Sequence, residues 1–139
     1  RPQIQKIPEN IPTMIHGTGF DLAALPRIRT LLGRYGDRFL CRVLTERERG
    51  GLPSAPAGRT AYVAGRFAAK EAAVKALGCG FSLGIGPRHI EILPTPTGKP
   101  ELRFTGPALE RARQLGVRHI HVSITHERTT AAAVVVLEG

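Results

Sequence analysis

The chain has no tryptophan, two tyrosines and five phenylalanines among 139 residues, so its core has to be built from Ile, Leu, Val and Ala. Aromatics on which single-stranded nucleic acid could stack are scarce with it. Cys41 and Cys79 make neither a zinc-type spacing nor a disulfide framework, which suits a reducing compartment. No apolar run approaches the roughly 20 residues that cross a bilayer. The opening stretch "RPQIQKIPENIPT" has no hydrophobic signal core, so a cytoplasmic location is expected. Acidic residues are also few: 11 Asp and Glu stand against 20 Lys and Arg, a net charge of +9. Such an excess attracts polyanions, whether nucleic acid, a phosphorylated ligand or an acidic protein.

What remains is the composition of one ordinary globular domain, 42% hydrophobic and 22% charged. Residues 1–13, with Pro8 and Pro12 and little periodicity, read as a flexible extension to a domain over 14–139, with Met14 as its natural start. "MIHGTGF" (14–20) is β-compatible and delivers Asp21 to the end of a strand. Leu25, Ile28, Leu32, Tyr35 and Phe39 recur at helical spacing behind Pro26, with Gly33 and Gly36 set to bend or interrupt the helix. "TERE" (45–48) is a capping box, and "LPSAPAG" (52–58) reads as a loop. A long helix is expected over about Thr60 to Leu77, closed by Gly78.

After a glycine-rich connector, "IEIL" (90–93) and "ELRF" (101–104) read as strands joined through "PTPTGKP". Pro107 opens a helix that Gly116 ends. "HIHVSIT" (119–125) and "AAAVVVL" (131–137) form a hairpin around "HERT". The fold class is therefore α+β: a mainly antiparallel sheet of about five short strands packed against a long helix.

That helix carries the chemistry. "GRFAAKEAAVKALG" (65–78) is alanine-rich, so neighbours pack closely around it, yet it holds Arg66 and Lys70 on one flank and Glu71 and Lys75 on the other. An isolated Glu71/Lys75 pair is ordinarily an i,i+4 contact worth a few tenths of a kcal/mol. In a helix packed on all sides, however, charges need a partner or a ligand. A carboxylate beside a lysine can hold a cation and a phosphate together, and Asp21, after the glycine-spaced "HGTGF", offers a second carboxylate. Asp21 is equally a turn or capping residue, and spacing alone does not bring the two together.

"GTGFDLAALPRI", "RFAAKEAAVKALGCG", "GKP" and "VSITHE", in that order, resemble the holo-acyl-carrier-protein synthase family, the short 4′-phosphopantetheinyl transferases. The likeness runs from Met14 to about Glu138, and "FAAKEAAVKALG" is its most discriminating piece. It implies transfer of 4′-phosphopantetheine from coenzyme A to a serine of acyl carrier protein, releasing 3′,5′-ADP, in support of fatty acid biosynthesis. It implies Asp21 and Glu71 as Mg²⁺ ligands and Lys75 as a phosphate-binding lysine. Arg66, Lys70, Gly78, Lys99, Pro100, Thr125 and His126 are the further coenzyme A contacts it suggests. Thr125-His126 stands where Ser-His is more usual. The resemblance also implies a homotrimer with sites between subunits, Asp21 from one chain and the Glu71 helix from the next. Glu71 or a metal-bound water is the first expectation for the base, with His126 second.

Arg27, Arg34, Arg38 and Arg42 fall within about 80° of one another on a continuous helix. A basic face of this kind is commonly only solvated. The resemblance makes it the docking face for acidic acyl carrier protein, while the competing reading is a non-catalytic basic module that binds nucleic acid or an acidic protein.

Overall fold

A computed structural model describes residues 13–139; apart from Thr13, the expected N-terminal extension lies outside the described residues. The elements run β1 (Ile15–Ala24), α1 (Leu25–Tyr35), α2 (Asp37–Val43), α3 (Glu46–Gly50), α4 (Pro56–Ala76), β2 (Ile90–Pro94), β3 (Pro100–Phe104), α5 (Gly106–Gln114), β4 (His119–His126) and β5 (Thr130–Glu138). Five strands form as expected, but not in one sheet. β1, β5 and β4 make a three-stranded antiparallel sheet in that order, and β2 and β3 make a separate hairpin.

α4 lies across the three-stranded sheet, and its alanines explain how. Ala64, Ala68, Ala69, Ala72, Ala73 and Ala76 are all buried, so strands approach the helix backbone closely. Gly17 and Gly19 complete the fit on the strand side. A Cβ at Gly17 would stand 1.9 Å from the Ala76 carbonyl oxygen, and one at Gly19 1.8 Å from that of Ala72. No other residue type fits there without moving β1 away. Ala23, Ala131, Ala133, Val135 and Leu137 extend the core on the sheet side.

Three expectations need correction. β1 does not stop at residue 20: it pairs with β5 as far as Ala24, so Asp21 sits inside the strand, opposite Ala133. α4 begins at Pro56, within the expected loop, because Pro at the first helical position suits a helix start. Gly33 stays inside α1, whereas Gly36, at φ +52°, breaks the helix between α1 and α2. The four arginines therefore do not share one helical wheel. The capping box at Thr45 forms with Glu48 as expected, and Gly78, at φ +77°, ends the long helix.

Candidate active site

Two groups of polar side chains flank α4, at opposite edges of the sheet. The first lies along β1. Lys75 Nζ donates to Asp21 Oδ1 at 2.9 Å and to the Phe20 carbonyl at 3.1 Å. Glu71 stands one helical turn back on the same flank, and Asp21, Glu71, Arg27, Ile28 and Phe67 line one cleft of about 250 Å³. Burial pushes the Glu71 carboxyl above its ordinary range, and the nearby Asp21 charge adds to this, while Lys75 and Arg27 oppose it. The hydrogen bond from Lys75 and the charge of Asp21 hold the Lys75 ammonium above its usual value.

The close β1–α4 approach allowed by Gly17 and Gly19 is what places Asp21 beside this flank. Asp21 and Glu71 thus meet within one chain, which overturns the expectation that they come from different subunits. Among the described residues no group of three or more His, Cys, Asp or Glu could by itself hold a metal ion. Two carboxylates at one cleft, one of them partly withdrawn from water, suit a hard divalent ion that takes its remaining ligands from phosphate and water.

The second group lies along β4. Gly65 lets Ile124 come against α4, since a Cβ there would meet Ile124 Cγ2 at 2.9 Å. Beside this contact Tyr62, Arg66 and His126 line a groove of about 510 Å³ together with Pro53, Gly58 and Ile124. Arg66 stacks on the Tyr62 ring, 3.5 Å from its centroid, and its Nε is buried without a hydrogen-bond partner among the described residues. Burial works against the Arg66 charge, with Tyr62 and Glu48 in its favour.

Lys70 is the clearest correction. Its side chain is 1% exposed, and its three donors go to Glu48 Oε1 at 2.7 Å, Pro87 O at 2.9 Å and Ile90 O. Glu48, itself 0% exposed, also accepts from Thr45 N at 2.8 Å and Ile92 N at 3.0 Å. Lys70 has no donor left for a coenzyme. It ties α3 and the start of β2 to α4. The capping box carried the one sequence signal for Glu48, but not for the length of its reach.

The remaining candidates are dispersed. Thr125 and His126 point to opposite faces of β4 by strand alternation, so Thr125 stands apart from the groove of Arg66 and His126. Lys99 is exposed in the β2–β3 turn with Pro100 next to it, and the structure brings neither to the two groups. Gly78 serves to end α4. Arg38 and Arg42 of α2 border an apolar groove with Leu31, Tyr35 and Phe39, whereas Arg27 belongs to the carboxylate cleft and Arg34 to the last turn of α1. Tyr62 and Phe67, which line the two clefts, read in the sequence only as helix residues.

A family model described as the 4′-phosphopantetheinyl transferase superfamily matches residues 17–135. The chain is 56% identical over 126 residues to the holo-[acyl-carrier-protein] synthase of Solidesulfovibrio magneticus, covering 91% of this chain and 100% of that protein. Its fold is similar to the crystal structure of the Neisseria meningitidis holo-[acyl-carrier-protein] synthase, with TM-score 0.80 and 38% identity over 89% of this chain and 98% of that one. It is also similar to the Bacillus anthracis holo-(acyl-carrier-protein) synthase in complex with CoA (3′,5′-ADP), with TM-score 0.74 and 39% identity over 90% and 97% of the two chains. The chain belongs to the 4′-phosphopantetheinyl transferase superfamily and, within it, to the holo-acyl-carrier-protein synthases. It is therefore an enzyme, which sets aside the non-catalytic module.

Proposed function

We propose that the domain over residues 14–139 transfers 4′-phosphopantetheine from coenzyme A to a serine of apo acyl carrier protein, with Mg²⁺, in the cytoplasm and in support of fatty acid biosynthesis. The observation that carries this reading is the cleft that Asp21 and Glu71 line together, with Lys75 bonded to Asp21 beside it. Asp21 and Glu71 would hold the Mg²⁺, which when bound supplies positive charge to the pyrophosphate. Lys75 exchanges its bond to Asp21 for a phosphate oxygen. The serine oxygen bonds to the phosphorus that carries the pantetheine arm, the bond from that phosphorus to the oxygen of 3′,5′-ADP breaks, and the serine proton passes to a Glu71 carboxylate oxygen. Arg66 and His126 serve as anion-binding groups for the nucleotide end of coenzyme A.

In a single chain the two groups stand at opposite edges of the sheet, with β5 between β1 and β4. The proposal is a homotrimer in which the β1 edge of one subunit faces the β4 edge of the next. Phe20 (58% exposed), Leu22 (58%) and Val134 (38%) support it. Phe20 and Val134 are paired across the sheet, on the face away from α4, and an apolar patch there calls for a protein partner. The carrier, an acidic protein, would dock at the apolar groove flanked by Arg38 and Arg42, with Arg34 near its edge and Arg27 at the cleft.

Incubation with coenzyme A, Mg²⁺ and an apo carrier, followed by weighing of the carrier, tests the reading. A carrier heavier by one phosphopantetheine is expected. An unmodified carrier under conditions where a known synthase modifies it would refute it.

A further inference from the structure

The geometry points to Tyr62 as a positioning residue for Arg66, a role that rests on the reading of Arg66 as a coenzyme A contact. One turn separates the two on α4, and the guanidinium lies over the phenol ring at 3.5 Å. The ring is itself fixed from outside the helix: Tyr62 Oη donates to the Glu48 carbonyl oxygen at 2.6 Å. Glu48 in turn is locked to Thr45, Lys70 and Ile92. The ring face under Arg66 is thus anchored to a buried polar cluster in which Glu48 and Lys70 are both fully bonded.

Arg66 needs such support. A buried donor without a partner costs roughly 1–3 kcal/mol, and Arg66 Nε is in that state. A free arginine would swing its guanidinium into water to recover the bond. The aromatic face returns part of the loss and keeps the planar head in one orientation beside His126, where the groove is open to an anionic ligand. Gly65 allows the close Ile124 contact on the same turn, and Ile124 lines the groove together with Arg66. The hydroxyl of Tyr62 donates to the Glu48 carbonyl oxygen, so its removal probes that anchor.

The test is a double-mutant cycle read in steady-state kinetics of carrier modification, with a thermal midpoint for each variant. Tyr62→Leu, which removes the ring face, should raise the KM for coenzyme A about tenfold. Tyr62→Phe, which keeps the face and loses the anchor, should raise it about threefold. KM for the carrier should move by less than about twofold in both, since the carrier's groove lies on α1 and α2. In an Arg66→Ala background, Tyr62→Leu should add less than about twofold, because the group it positions is gone. The same factor in both backgrounds would overturn the positioning role while leaving Arg66 as a ligand. An Arg66→Ala enzyme with unaltered KM for coenzyme A would overturn both. If Tyr62→Phe and Tyr62→Leu weaken both substrates equally, in step with a lowered midpoint, Tyr62 serves the fold alone and the inference is wrong.

Discussion

Replacing Lys70 by methionine separates a structural lysine from a ligand-binding one. Methionine fills most of the same volume and removes the charge. Glu48 would then keep a negative charge at 0% exposure, with only Thr45 N and Ile92 N to satisfy it. The Pro87 and Ile90 carbonyls would also lose their donor. Breaking one side of a buried pair costs about 3–5 kcal/mol, since the surviving charge is left uncompensated. For a chain of 139 residues the unfolding entropy near the midpoint is about 0.3 kcal/mol per degree, so the midpoint should fall by roughly 10–17 °C. Adding Glu48→Gln to Lys70→Met removes the stranded charge and should return about 1–2 kcal/mol of that loss.

Differential scanning calorimetry at one fixed protein concentration, which holds any subunit association constant, measures the first effect. Coenzyme A kinetics well below the midpoint measure the second. The KM for coenzyme A should stay within about threefold of the parent, because Lys70 Nζ faces α3 and the start of β2 rather than either cleft. A midpoint lowered by less than about 3 °C, coupled to a KM for coenzyme A raised tenfold or more, would refute the argument. Lys70 would then be a coenzyme ligand after all.

The carboxylate cleft predicts that Asp21→Asn or Glu71→Gln lowers kcat/KM on the order of 100-fold or more with the fold retained; full activity at limiting Mg²⁺ would remove both from the metal site. Because Asp21 and Glu71 belong to one chain, mixing those two variants should restore nothing. Mixing Asp21→Asn with Arg66→Ala should restore part of the activity if one subunit's β1 edge meets the next one's β4 edge, and recovery in the first mixture instead would reverse this division. Arg38→Glu with Arg42→Glu should raise the carrier's KM at least tenfold at low salt, with little change toward coenzyme A; an equal effect on both substrates would count against docking there. Gly19→Ala should cost about 3 kcal/mol and lower activity further, since its Cβ would fall 1.8 Å from the Ala72 carbonyl oxygen, and a variant of parental stability would show that β1 can sit farther from α4.

Local signals made much of the fold readable. Glycines at 36, 78 and 116, the Thr45 capping box and the period-two pattern of β4 each depend on a few adjacent residues, and each element formed near its expected place. What was not readable depends on distance. A β-compatible stretch marks the start of β1, but only pairing with β5 decides that it continues through Asp21 to Ala24. Pro56 opens α4 within a stretch whose Pro, Ser and Gly composition reads as loop. The division of five strands into a sheet of three and a hairpin of two depends on which faces α4 can cover, and no window of sequence holds that information.

The same distinction governs the candidate site. Lys70 and Lys75 lie on one helix, in one motif, among the same alanines, and their local surroundings give them equal claims to a phosphate. Their fates differ because of what arrives from elsewhere in the chain. Glu48 comes 22 residues before Lys70 and encloses it, so its charge is spent inside the fold. Asp21 comes 54 residues before Lys75 on a strand that glycines bring close, at an edge left open to solvent, where the Lys75 side chain remains 51% exposed. A partner that buries a lysine consumes its donors, whereas one that holds it at the rim leaves it able to exchange a carboxylate for a phosphate. Helical spacing correctly separates the two flanks, but whether a flank is sealed or open is a property of the tertiary structure alone.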